Sequence, residues 1–206
     1  MSRGFVVISI ALAVFFTPVV KAQFISEFGL KGGINISKIS NVDETNYKAG
    51  VLAGIFLEVD IPNTSFAFQT ELLSVQYGDK DSNSEEVRRL TYFQIPFLIK
   101  YGISLPDSDI SPVVYFGPYA GFNYKAVVED KGGNVSGDGN IRSISDDIKD
   151  NDSGLLFGAE LGIKEFRFGL RYTTGFTEIF EAGMSDGEKN RALAFTIGIA
   201  LNKKNN

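Results

Sequence analysis

Residues Leu90–Gly102, LTYFQIPFLIKYG, decide how the rest of the chain is read. Thr91, Phe93, Ile95, Phe97, Ile99 and Tyr101 share one face, and Leu90, Tyr92, Gln94, Pro96, Leu98 and Lys100 share the other. This alternation has the two-residue period of a β-strand, not the 3.6-residue period of a helix. The first face is almost wholly apolar and aromatic; the second is mixed and carries a lysine near the strand's end. A soluble barrel would turn the apolar face to its core. A transmembrane barrel does the opposite, with the apolar face toward lipid and the polar face toward the lumen.

Seven further stretches alternate in the same way: Phe28–Ser37, Tyr47–Asp60, Ser65–Tyr77, Val113–Ala126, Gly154–Lys164, Phe166–Phe176 and Ala192–Asn202. The last is the cleanest, with Leu193, Phe195, Ile197, Ile199 and Leu201 against Ala192, Ala194, Thr196, Gly198, Ala200 and Asn202. In the last three stretches the greasy sets hold almost no polar residue. Charge and glycine collect on the opposite face, as a narrow lumen lined by eight strands requires. The apolar sets carry more bulk than such a lumen could hold, so they are expected to point outward. Short links at Ile61–Thr64, Ile103–Pro112 and Glu165 alternate with longer ones, the longest being Val127–Ser153. The expected fold is therefore all-β: an eight-stranded antiparallel up-and-down transmembrane β-barrel.

The chain has 206 residues and no cysteine, histidine or tryptophan. Residues 1–22 have the layout of a cleaved signal peptide: Arg3, an apolar run from Phe5 to Phe16, Pro18, then Val20-Lys21-Ala22 before Gln23. The barrel domain is expected over 23–202, with a polar tail at 203–206. Cleavage would leave 18 bases against 25 acids, a net charge near −7, which argues against nucleic acid as a partner. Without cysteine there is neither a lipoprotein anchor nor a disulfide.

The inward sets place Lys31, Lys48, Glu58, Glu71, Lys100, Lys125, Glu160, Lys164, Arg167 and Arg171 in the lumen or at its ends. Buried charges persist only when paired and hydrogen-bonded. Glu71 and Glu160 are therefore expected to meet members of the set Lys31, Lys100 and Arg171, with Glu58 in the same structural network. This network would pin and fill the barrel rather than carry ions. Without histidine or cysteine, Ser-His-Asp and Cys-His catalysis and the usual zinc ligand sets are unavailable. No catalytic residue, cofactor or metal ligand is expected, and the chain does not read as an enzyme. The acidic loop Gly132–Ser153, with Asp138, Asp146, Asp147, Asp150 and Asp152, lacks a twelve-residue calcium pattern and reads as a solvated loop.

The segments Gln69–Gly78 (QTELLSVQYG), Tyr92–Tyr101 (YFQIPFLIKY) and Gly117–Lys125 (GPYAGFNYK), followed by Gly158–Thr174 and a short final strand, resemble the PorT-like outer-membrane β-barrel family. Ala22-Gln23 at the end of the signal peptide is similar too. The resemblance implies eight strands, a bacterial outer-membrane location and an association with secretion or surface machinery, and it brings no catalytic residue. It departs at the C-terminus, Leu201–Asn206, where many barrels end on an aromatic residue and this chain leaves Phe195 as its last. The expected partners are outer-membrane lipid and, through the loops, other outer-membrane or secretion proteins. The barrel itself is expected to be a monomer. An outer-membrane lipid-modifying enzyme and a soluble periplasmic ligand-binding barrel are the alternatives.

Overall fold

The computed structural model describes residues 25–40, 45–81, 86–106, 108–130, 141–144, 148–179 and 187–202. The expected signal peptide, the tail and the Asp138, Asp146 and Asp147 part of the acidic loop lie outside these residues. Eight long strands form the wall: β1 (Glu27–Ser40), β2 (Thr45–Asp60), β3 (Phe66–Asp81), β4 (Glu86–Gly102), β5 (Ile110–Asp130), β7 (Asn151–Ile163), β8 (Phe166–Gly175) and β9 (Lys189–Ala200). A three-residue strand, β6 (Ile141–Ser143), pairs only with the end of β5. The order β4-β3-β2-β1-β9-β8-β7-β5, closed by the β4–β5 pairing, makes a continuous antiparallel cylinder without a free edge.

The two faces separate as sharply as the alternation implied. Phe195, Ile197 and Ile199 of β9 are 44%, 42% and 39% exposed, whereas the intervening Ala194, Thr196 and Gly198 are buried. Phe68, Leu72, Phe97, Phe116, Phe157 and Leu170 continue the outward apolar surface around the wall. A soluble ligand-binding barrel would have these side chains inside. Outward aromatics pair on the wall, Phe66 with Tyr101 at 5.1 Å near one rim and Phe93 with Tyr124 at 4.4 Å between ring centroids at mid-strand. The Tyr124 hydroxyl also shares a 2.9 Å hydrogen bond with Ser74 Oγ.

Glycine on the inner face makes room for rings reaching across from the paired strand. Tyr115 lies opposite Gly158, Tyr119 opposite Gly154 and Phe56 opposite Gly29. A Cβ on Gly158 would fall 2.3 Å from Tyr115 Cζ and 2.4 Å from its hydroxyl oxygen. Gly158→Val is therefore expected to destabilise the barrel by about 1–3 kcal/mol through overpacking. Gly32→Ala, where the nearest atom is 3.9 Å from the added Cβ, is expected to be tolerated. Urea unfolding of both variants in lipid vesicles checks the contrast.

The strands run further than periodicity indicated, and this changes the loops. β5 continues to Asp130, and the links at 41–44 and 82–85 are four residues each. Only the β5–β7 and β8–β9 connections at that end of the barrel are long. The Val127–Ser153 segment is also not wholly a solvated loop, because it contains β6 and the buried Ile144 and Ile148. Backbone bonds Ile144 N–H to Ala126 C=O (3.1 Å) and Lys149 N–H to Ile179 C=O (2.8 Å) tie it down.

Candidate functional site

Six strands contribute charged side chains to one cluster in the lower half of the lumen, the half nearer the start of β1 and the end of β9. Lys31 on β1 donates to Glu71 on β3 at 2.6 Å and to Glu160 on β7 at 3.4 Å. Lys100 on β4 donates to Glu160 at 3.2 Å, to Gln69 Oε1 on β3 at 2.9 Å and to Glu58 on β2 at 2.5 Å. Gln69 Nε2 then donates back to Glu71 at 2.6 Å. Lys31, Glu160, Lys100, Gln69 and Glu71 thus form a closed ring of hydrogen bonds across the barrel. Arg171 on β8 joins it through Glu71 at 2.8 Å.

Charge in this cluster balances. Lys31, Lys100 and Arg171 supply three positive charges against Glu58, Glu71 and Glu160. Each except Glu58 is at most 4% exposed, so a missing partner could not be replaced by bulk water. Two rings flank the cations: Phe56 lies 5.5 Å from Lys31 Nζ and Tyr115 lies 5.9 Å from the Arg171 guanidinium. All six residues named from the sequence meet here. Gln69, on the same face two residues before Glu71, is the member that reasoning from charge passed over. As a neutral side chain it gave no electrostatic signal, although its place on the inward face was legible.

The other charged positions separate. Lys48 is buried in the lumen. Arg167 sits half-buried at the rim and forms an ion pair with Glu27. Lys164 does not point inward: it occupies the two-residue β7–β8 turn with φ of 53°, a left-handed conformation that takes it out of the strand alternation. Lys125 is exposed as well. Tyr124 and Lys125 of β5 together face Thr91 of β4, a bulge that reverses the inward set above this point. Ala126 and Val128 consequently face the interior, and Thr91, opposite the bulge, is buried.

Above the ionic ring the lumen changes character. Leu52, Leu73, Val75, Tyr77, Leu90 and Tyr92 pack with Ile39, and Ile144, Ile148 and Ile179 from the long connections join the same buried cluster. Gln94 donates to the Tyr77 hydroxyl at 2.9 Å. Arg88 holds Asp79 with two hydrogen bonds at 2.8 and 2.6 Å. The interior is therefore filled in layers: a rim ion pair, the charged ring, an apolar layer and a cover of loop isoleucines. Among the described residues no group of three or more Asp, Glu, His or Cys is arranged to hold a metal ion.

Comparison with curated proteins gives no match. Among solved structures, the attachment invasion locus protein Ail of Yersinia pestis, determined in complex with the heparin analogue sucrose octasulfate, is 14% identical with a TM-score of 0.43, covering 85% of this chain and 98% of that one. Neisserial surface protein A is 15% identical with a TM-score of 0.47, covering 84% and 96%. The outer membrane protein OprG of Pseudomonas aeruginosa is 12% identical with a TM-score of 0.45, covering 86% and 94%. Residues 22–181 match the family described as outer membrane protein beta-barrel domain. A closed cylinder with a lipid-compatible exterior and an ionic interior accords with that match, and the chain belongs to this family of bacterial outer-membrane barrels.

Proposed function

We propose that this protein is a closed, monomeric barrel of the PorT-like type that serves secretion or surface assembly as an accessory, acting through its long loops. The observation that carries the reading is the layered filling of the lumen, from the Glu27–Arg167 rim pair to the isoleucines of the loops. An eight-stranded barrel has room only for side chains, and here those side chains are joined by hydrogen bonds across the bore. A protein built this way offers its partners its loops, not a passage. The β5–β7 connection includes residues 131–140, which carry Lys131 and Asp138 among glycines, asparagines, Ser136 and Val135.

Two measurements test the reading. Purified protein in planar bilayers is expected to give no stable conductance steps; regular channel openings would refute the closed-barrel half. Deletion of Lys131–Asn140 is expected to leave membrane insertion and heat-modifiable gel migration intact while abolishing cross-linking to secretion or surface-assembly proteins in the native membrane. Retention of those cross-links by the deleted form would refute the loop half.

A further inference from the structure

A row of polar side chains crosses the outer wall where its apolar surface ends. Lys38 of β1 stands directly opposite Arg191 of β9, and Arg191 stands directly opposite Thr174 of β8. All three point away from the lumen, because Ser37, Ile39, Asn190, Ala192 and Thr173 beside them are buried. Arg191 is exposed, and Lys38 and Thr174 are half-buried. Two cations that face each other across a β-ladder repel. Among the described residues neither Lys38 nor Arg191 forms an ion pair that would relieve the repulsion. The other exposed charges on the described strand residues at this end, Lys80, Arg89 and Lys125, are bases as well.

Below this row the wall turns apolar at once. Leu193 is flanked by Ile36 and Tyr172, and the next outward row is Ile34, Phe195 and Leu170, all of them exposed. The polar row lies at the end that carries the long β5–β7 and β8–β9 connections. In outer-membrane barrels long loops face the cell exterior and short turns the periplasm, so the row sits on the outer-leaflet side. The chemistry of the row selects an anion. A carboxylate brings one negative charge, whereas a phosphate monoester carries about 1.5–2 at neutral pH and three acceptor oxygens. An ammonium, a forked guanidinium and a hydroxyl side by side match that charge and those acceptors.

We infer that Lys38, Arg191 and Thr174 cradle the phosphate of a phosphorylated outer-leaflet lipid whose acyl chains lie along Ile36, Leu193 and Phe195. The bound phosphate cancels the repulsion between β1 and β9 and so fastens the seam that joins the first strand to the last. The site is on the outer wall, separate from the ionic ring and independent of the loop-mediated role proposed above.

The test is urea unfolding of the full chain in phosphatidylcholine vesicles, used plain, with a minor fraction of lipid A or of dephosphorylated lipid A, or with inorganic phosphate in the buffer. A ligand bound only by the folded state shifts the unfolding equilibrium by up to about tenfold for each tenfold rise in its concentration, here its share of the vesicle lipid. Wild-type protein is expected to gain stability from lipid A and from none of the other additions. Lys38→Gln is expected to be neutral or stabilising in plain phosphatidylcholine, where it relieves the repulsion, and to lose the lipid A response. Arg191→Gln is expected to lose the response as well, and Arg191→Lys, which keeps the charge, to retain most of it. Equal wild-type midpoints with and without lipid A overturn the proposal, as does a response that survives Lys38→Gln combined with Arg191→Gln. A shift produced equally by dephosphorylated lipid A assigns the effect to acyl chains, and one produced by inorganic phosphate assigns it to a free anion; either result overturns the lipid site. A loss of stability in Lys38→Gln that is the same in every vesicle marks the lysine as merely structural and overturns it too.

Discussion

Replacing Glu71 with alanine is expected to destabilise the folded barrel by about 3–5 kcal/mol, the range for breaking a buried ion pair by removing one partner. Glu71 accepts hydrogen bonds from Lys31, Gln69 and Arg171. Without it the cluster carries three cations against two carboxylates. Lys31 would retain only Glu160, at 3.4 Å, and Arg171 would lose its one carboxylate partner in the cluster. Neither cation can reach water from a side chain that is 2% exposed. Urea titration in lipid vesicles, followed by tyrosine fluorescence and gel mobility, measures the loss. The double variant Glu71→Leu with Arg171→Met removes a charge of each sign and is expected to recover part of it. A cost below about 1 kcal/mol for Glu71→Ala would place the pair among solvent-screened surface bridges and contradict the buried ring.

The second large effect is expected on the opposite face of the wall. Phe195→Arg, at the middle of β9, should cost about 2–4 kcal/mol, as arginine does at the bilayer midplane of a barrel. Phe195 is 44% exposed in the isolated chain, so a water-facing position would accept arginine almost freely. The lipid-facing reading therefore makes the larger cost its signature. Leu201→Arg, just past the strand end and 57% exposed, supplies the contrast, with an expected cost of about 0–1 kcal/mol near the interface. Equal effects at the two positions in the same vesicle unfolding assay would remove the distinction between a midplane and a rim.

These two sites differ in how far the sequence reveals them. Phe195 and its neighbours are legible because alternation is a local property: each residue's face follows from that of the residue before it. The same rule places Lys31, Glu71 and Glu160 inside without saying which touches which. Their contacts join positions 40 and 129 residues apart, and those distances are set by strand order and register. Gln69 closes the ring for the same reason. Local parity also fails wherever the backbone departs from the regular pleat. The bulge at Tyr124-Lys125 turns Lys125 outward, and the left-handed turn at Lys164 takes it out of the lumen.

By itself, then, the sequence determined the strand period, the apolar exterior, the ionic interior and the absence of histidine and cysteine chemistry, because each is written in the order or identity of neighbouring side chains. The tertiary structure alone decided the partners in the charged ring, the inward turn of Ala126 and Val128, and the packing of Ile144, Ile148 and Ile179 over the lumen. Those outcomes depend on closure of the cylinder, which brings β1, β3, β4 and β7 across one bore and which no single stretch of chain encodes.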